Sequence, residues 1–226
     1  MTGQLVWAQA GRPFFRWSWV VDHLGEIRQQ LVEHLYLTAI AVAVGFVLSM
    51  ALSALAMRYR RTYGPITGMA GFLYTIPSIA LFALLIPFVG LSVLNAEIAL
   101  VSYTLLILVR NTVAGLDGVP EAIKESAEGM GYRRWRLFME IELPLALPVI
   151  IAGLRIATVT IVGLVTVSAL IGYGGLGSFI LDGLRRLFMT PLLVGSVLSV
   201  ALAVVLDVAF VLLERLLTPW SSRRAA

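Results

Sequence analysis

Apolar residues run along this chain in blocks too long for soluble helices, separated by short polar stretches. A hydrocarbon core of about 30 Å needs about 20 mostly apolar residues in helical form, because a helix satisfies its own backbone hydrogen bonds there. Such blocks run from Leu35 to Met57, Pro65 to Val89, Ile98 to Leu116, Leu145 to Ile171 and Leu192 to Leu217. The pattern predicts an all-α integral membrane protein of about five transmembrane helices within residues 35–217. Pro77 inside the second block and Pro148 early in the fourth each remove a helical hydrogen bond. Each is read either as a packed kink or as a helix break beside a polar pathway.

The longest interval between spans is residues 117–144, DGVPEAIKESAEGMGYRRWRLFMEIELP. Pro120 suits a helix start, and Glu121 and Glu125 fall in the early turns, where carboxylates favour the positive helix end. Gly129 and Gly131 interrupt that helix. A second is expected from near Tyr132, with Trp135, Phe138 and Met139 on one face. Ser126, Ala127 and Gly131 give the elbow little bulk, so another protein can approach it closely; an amphipathic hairpin packed on its own bundle is the other reading. Upstream, residues 1–34 form an external or interfacial segment. Trp17 to Glu33 mixes Trp17, Trp19, Val20 and Leu24 with Asp22, Glu26 and Arg28, which predicts an amphipathic helix on the outer interface or one packed on the bundle. No compact apolar core with a small-residue cleavage site precedes it, so no cleaved signal peptide is expected.

Composition agrees: 59% of residues are hydrophobic, 13% are charged, and mean hydropathy is +0.92. The net charge of +4 matters through its placement. Arg58, Arg60 and Arg61 follow the first block, Lys124, Arg133, Arg134 and Arg136 lie within 117–144, and Arg223 and Arg224 sit in the tail 218–226. The intervening loop, Gly90 to Glu97, has no basic residue. Basic loops stay in the cytoplasm, so the 117–144 segment and the C-terminus are expected inside and the N-terminus outside. Arg12, Arg16, Arg28, Arg185 and Arg186 fall on the other side and weaken this bias without reversing it. Basic clusters between apolar blocks fit topology, not nucleic-acid binding.

Candidate chemistry is sparse. Cysteine is absent, and His23 and His34 are read as packing or interfacial residues, so no metal site is expected. There is no G-x-x-x-x-G-K-[ST] loop, and Lys124 is the only lysine, so this chain is expected to bind neither ATP nor any other cofactor. Gly172, Gly174 and Gly177 spell G-x-G-x-x-G, but they follow an apolar span and not a strand of a βαβ unit. With Gly175 they are read as a flexible turn at the outer end, leading to the amphipathic stretch Phe179 to Leu187. Arg155 and Asp207 lie inside blocks, each ten residues from a cytoplasmic end, so both fall at a depth of about 15 Å. They are predicted to pair; contact with a solute is the alternative. No nucleophile, metal cluster or paired carboxylates at one depth suggest a membrane enzyme.

The 117–144 segment also carries a resemblance. Glu125-Ser126-Ala127, then Gly131, then Ile141-x-Leu143-Pro144 is similar to the E-A-A-x3-G-x9-I-x-L-P signature of ATP-binding-cassette importer permeases, with Ser126 in place of the middle alanine. The resemblance extends over roughly residues 30–217 through TIPSIALFALLIPFVG, LVRNTVAGL, ELPLALPVIIAGLRIATV and ALIGYGGLG, and is nearest to the glycine betaine, carnitine and choline branch. It implies the type I importer permease fold, with 117–144 as a coupling helix docked in a nucleotide-binding subunit through Glu125, Ser126, Ala127, Gly131, Trp135, Ile141, Leu143 and Pro144. It implies an outer gate near Gly172, Gly174, Gly175 and Gly177. Implied partners are the ATPase subunit holding Mg-ATP, a second identical or related permease, an extracytoplasmic solute-binding protein and the lipid bilayer of a bacterial inner membrane. For a quaternary ammonium solute, Tyr74, Phe82, Phe88 and Tyr103 are available aromatic faces. A permease for another solute such as the amino acid methionine is the runner-up; a secondary transporter normally has more spans and acidic coupling sites.

Overall fold

The computed structural model describes residues 14–220; Arg12, Arg223 and Arg224 lie outside them. Among the described residues the chain is helical, with no strand. The helices are α1 (Trp17–Asp22), α2 (Leu24–Arg58), α3 (Tyr63–Thr75), α4 (Ser78–Val89), α5 (Val93–Asp117), α6 (Glu121–Gly129), α7 (Arg134–Leu137), α8 (Leu143–Ser168), α9 (Gly177–Arg186) and α10 (Met189–Leu217). Four stretches are long and apolar enough to cross a membrane, and α3 with α4 makes a fifth if that bent pair is one span.

Helix α5 is the centre of the bundle and packs most extensively on α8 and α2. Small residues make those approaches possible. A Cβ on Gly45 would lie 1.9 Å from Thr104 Oγ1, and one on Gly153 would lie 2.6 Å from Asn111 Cβ. The core between them holds Leu37, Ala41, Phe82, Leu100, Ile161 and Val165. Phe82 and Tyr103 are buried there, so of the four aromatic faces suggested by the sequence only Tyr74 and Phe88 are exposed. Helix α10 packs on α8 and α9 and is the least buried long helix.

Two expectations are corrected and two open alternatives are decided. Residue 35 does not start a helix: α2 runs unbroken from Leu24. Of the two readings of its first turns, the packed one holds: Ile27 and Leu31, with Trp19 of α1, pack against Val162, Leu176 and Phe179. Their amphipathicity thus serves helix packing. Of the two readings of Pro77, the break holds and the kink does not: α3 and α4 meet at 99°. Proline disfavours helical backbone in the residue before it, and both Ile76 (ψ 128°) and Pro77 (ψ 134°) are extended. The Tyr103 hydroxyl donates to the Ile76 carbonyl that the break exposes. Finally, Glu97 is not in a loop: α5 begins at Val93, and the carboxylate is buried within its first turns.

Candidate functional site

The 117–144 segment projects as an elbow from one end of the bundle. Its first helix, α6, follows Pro120 and stops through a pair of crossing hydrogen bonds. The Tyr132 amide donates to the Ala127 carbonyl at 3.1 Å, and the Gly131 amide to the Glu128 carbonyl at 2.9 Å. This is the Schellman arrangement, which requires a left-handed residue after the helix. Gly131 supplies it with φ +85°, and a Cβ there would meet nothing within 4 Å.

The second helix is not independent. Helix α7 begins at Arg134, beyond the expected Tyr132, and runs through a π-helical turn at Phe138–Glu142 directly into α8. Leu143 donates to the carbonyl of Phe138, five residues back. Pro144 explains the widened turn: it lacks the N–H that an α-helix would aim at the Glu140 carbonyl, and its ring would clash with that oxygen.

Helix α6 has two faces. Ala122, Glu125, Ser126 and Gly129 are exposed and share the outer side at helical spacing. The Ser126 hydroxyl is tied back to the Ala122 carbonyl at 2.6 Å, so it adds little protrusion. Ala127 is 1% exposed, its methyl turned inward, so the small residue offered at the surface beside Glu125 is Ser126. Trp135 is 72% exposed, while Ile141, Leu143 and Pro144 are half-buried at the root of α8. Glu121, Lys124 and Glu128, on the other face of α6, line a cavity of about 770 Å³ against α2 and the root of α8. These lining residues come from separate parts of the chain, and no local motif marks them. An ion pair between Arg60 and Asp117, with Nη1 to Oδ2 at 2.8 Å, ties the end of α5 to the turn after α2.

Farther along α8 the structure brings Arg155 and Asp207 together. Arg155 Nε donates to Asp207 Oδ1 at 2.9 Å and Nη2 to Oδ2 at 3.1 Å, a two-pronged contact between α8 and α10. Glu214 stands 3.8 Å from Nη1, a second carboxylate two turns along α10 that sequence reasoning missed. Its seven-residue spacing from Asp207 was the available signal. The three side chains are 32%, 35% and 27% exposed, so the cluster lies at the rim of a single chain.

The glycine turn at the opposite end is packed, not flexible. A Cβ on Gly177 would lie 2.3 Å from the Thr166 carbonyl oxygen, and the Gly175 amide donates to Glu33 Oε1 at 3.2 Å. Gly172, with φ +91°, turns the chain after α8, and Gly174 lies against Ala169. His34, fully buried beside this turn, has its Nε2 3.1 Å from the Val162 carbonyl. Among the described residues no group of three or more His, Cys, Asp or Glu side chains is placed to hold a metal ion.

Four similarities to known proteins bear on this geometry. The protein-family model described as a binding-protein-dependent transport system inner membrane component matches residues 41–219. The osmoprotectant import permease protein OsmW of Salmonella typhimurium is 37% identical over 206 residues, covering 89% of this chain and 96% of that protein. The glycine betaine/carnitine/choline transport system permease protein OpuCB of Bacillus subtilis is 35% identical, covering 86% of this chain and 90% of the relative. Among solved structures, an inward-facing MetNI methionine transporter chain superposes with a TM-score of 0.75 at 21% identity, over 87% of this chain and 98% of that one. The last similarity concerns the fold, which is that of type I importer permeases.

Proposed function

The chain belongs to the family of binding-protein-dependent transport system inner membrane components, and on that premise we propose that it forms the translocation path of an ATP-driven importer for osmoprotectants such as glycine betaine, choline or carnitine. The observation that carries the mechanism is the elbow, whose outer face offers Ala122, Glu125, Ser126 and Gly129 beside the exposed Trp135. A low-relief helix of this kind fits a cleft in a nucleotide-binding subunit, which holds Mg-ATP and performs hydrolysis. The substrate class rests on what the relatives transport.

About five spans enclose too little space for a solute path, so two permeases, identical or related, line it together. An extracytoplasmic binding protein delivers the solute. The chain is a multi-pass protein of the inner membrane, with its N-terminus outside and the elbow and C-terminus in the cytoplasm. Glu125, Ser126, Gly131 and Trp135 contact or shape the docking surface, Ala127 supports it from beneath, and Ile141, Leu143 and Pro144 root it on α8. The turn at Gly172, Gly174, Gly175 and Gly177 stands near the outer gate.

Reconstitution with the ATPase and binding-protein subunits tests the reading. Labelled glycine betaine, choline, carnitine and methionine are offered to proteoliposomes with ATP inside and outside in separate runs. ATP-dependent uptake of at least one quaternary ammonium solute is expected. Uptake of methionine alone, or uptake independent of the ATPase subunit, would overturn it.

A further inference from the structure

The cavity beneath α6 has the chemistry of a binding site that the transport reading does not use. It contains three cations and three carboxylates, of which Lys124 and Glu121 pair with each other at 3.2 Å. The others, Arg58, Arg134, Glu128 and Glu142, make no ion pair among the described residues. Charges of both signs thus line one space without neutralising each other. Trp135 and Phe138 form one wall, their rings 6.1 Å apart and tilted by 34°. Ser53 lines the cavity from α2, 1% exposed. The volume, about 770 Å³, lies within the range of small-molecule pockets.

We propose that this cavity binds a small zwitterion, an alkylammonium joined to a carboxylate or phosphate by a short linker. The aromatic wall and the carboxylates of Glu128 and Glu142 receive the cationic end, since an ammonium is attracted to the face of an indole ring. Arg58 and Arg134 receive the acidic end. A simple cation leaves the two arginines unanswered and a simple anion leaves the two glutamates so; the zwitterion answers both. Glu128 belongs to the helix whose opposite face is proposed to dock the ATPase, so an occupant braces that helix against α2. Two sources share the chemistry: a free betaine-type solute and the headgroup of phosphatidylethanolamine.

The test uses the full-length permease in nanodiscs, without ATPase or binding protein, so its outcome is separable from that of the uptake assay. In discs of phosphatidylglycerol, which has no ammonium, glycine betaine, tetramethylammonium and acetate are titrated by calorimetry. In discs containing phosphatidylethanolamine, native mass spectrometry measures lipid retained per chain. If free solute is the ligand, betaine binds at least about fivefold more tightly than tetramethylammonium or acetate, and Trp135→Ala and Glu128→Gln each weaken it about tenfold. If the headgroup is the ligand, betaine gives no heat and the same two variants lose the retained phosphatidylethanolamine. Glu128→Gln changes one exposed side chain on α6 and keeps the test open if Trp135→Ala inserts poorly. Neither betaine binding nor lipid retention, or binding indifferent to both variants, would overturn the proposal.

Discussion

Gly131 separates two causes of failure at the elbow. Its φ is +85°, and a Cβ there meets nothing within 4 Å, so replacement by alanine brings no clash. What remains is the conformational penalty of an L-residue in the left-handed region, roughly 1–2 kcal/mol. Asparagine tolerates that region better and should cost less. A penalty of that size shifts the balance between the capped elbow and a frayed one by about five- to thirtyfold. Hydrogen exchange at the Gly131 and Tyr132 amides, which close the cap onto Glu128 and Ala127, reads that balance directly. Gly131→Ala should lower their protection by this factor and weaken association with the ATPase subunit in proportion, with Gly131→Asn intermediate. Ser126→Trp, on the outer face, is the complementary probe: it should block docking by bulk while the two amides stay protected. Unchanged exchange in Gly131→Ala, or an asparagine variant worse than the alanine one, would refute the capping argument.

Two further outcomes follow from contacts within the bundle. Gly45→Ala would put a methyl 1.9 Å from Thr104 Oγ1 and should destabilise the detergent-solubilised protein by about 1–3 kcal/mol in thermal or denaturant unfolding. Thr104→Ala should restore only part of this, because Thr104 Cβ lies 2.9 Å from the same point, while Thr104→Gly restores more. For the pair between α8 and α10, Arg155→Asp or Asp207→Arg alone should reduce the yield of folded permease, and the double exchange should recover most of it. Recovery is expected to be incomplete, because the carboxylate introduced on α8 would then face Glu214, and Glu214→Gln should improve the double variant.

The helices of this fold were legible where the physics is local. Apolar length marks the spans, and the paired glycines after Ser126 mark the end of α6, because no tertiary partner is needed for either. The depth of Arg155 and Asp207 could be counted from helix rise, since both helices continue without a break through those positions. Other features depend on distant partners. The charges at Glu26, Arg28 and Glu33 make the start of α2 look interfacial, yet Ile27 and Leu31 are covered by Val162, Leu176 and Phe179. Glu33 is engaged by an amide 142 residues away. Pro77 leaves kink and break open, and the break that forms frees the Ile76 carbonyl, which is claimed by Tyr103 from another helix. The cavity beneath α6 is least legible of all, because Ser53, Glu128 and Trp135 meet only after three helices have packed.

The joining of the elbow to the span gives the proposed docking surface and the bundle a continuous helical connection. Helical structure from Arg134 to Ile171 covers 38 residues. At the usual rise that is about 57 Å, well beyond the roughly 30 Å of hydrocarbon it has to cross. The surplus is long enough for Trp135 to stand outside the lipid on the same rod that carries Arg155. Two contacts join that rod to its neighbours: Arg155 with Asp207 of α10, and the turn whose Gly175 amide holds Glu33 of α2. The rod has one soft stretch. Pro144 and Pro148 donate no backbone hydrogen bond, and the π-turn at Phe138–Glu142 lies immediately before them. Bending concentrates where hydrogen bonds are missing, so compliance sits at the root of the elbow while the remainder of α8 stays stiff. Phe138 and Glu142 in that soft turn also line the cavity beneath α6. Filling the cavity would brace the one place where the rod yields, and so stiffen the link between the docking helix and the span.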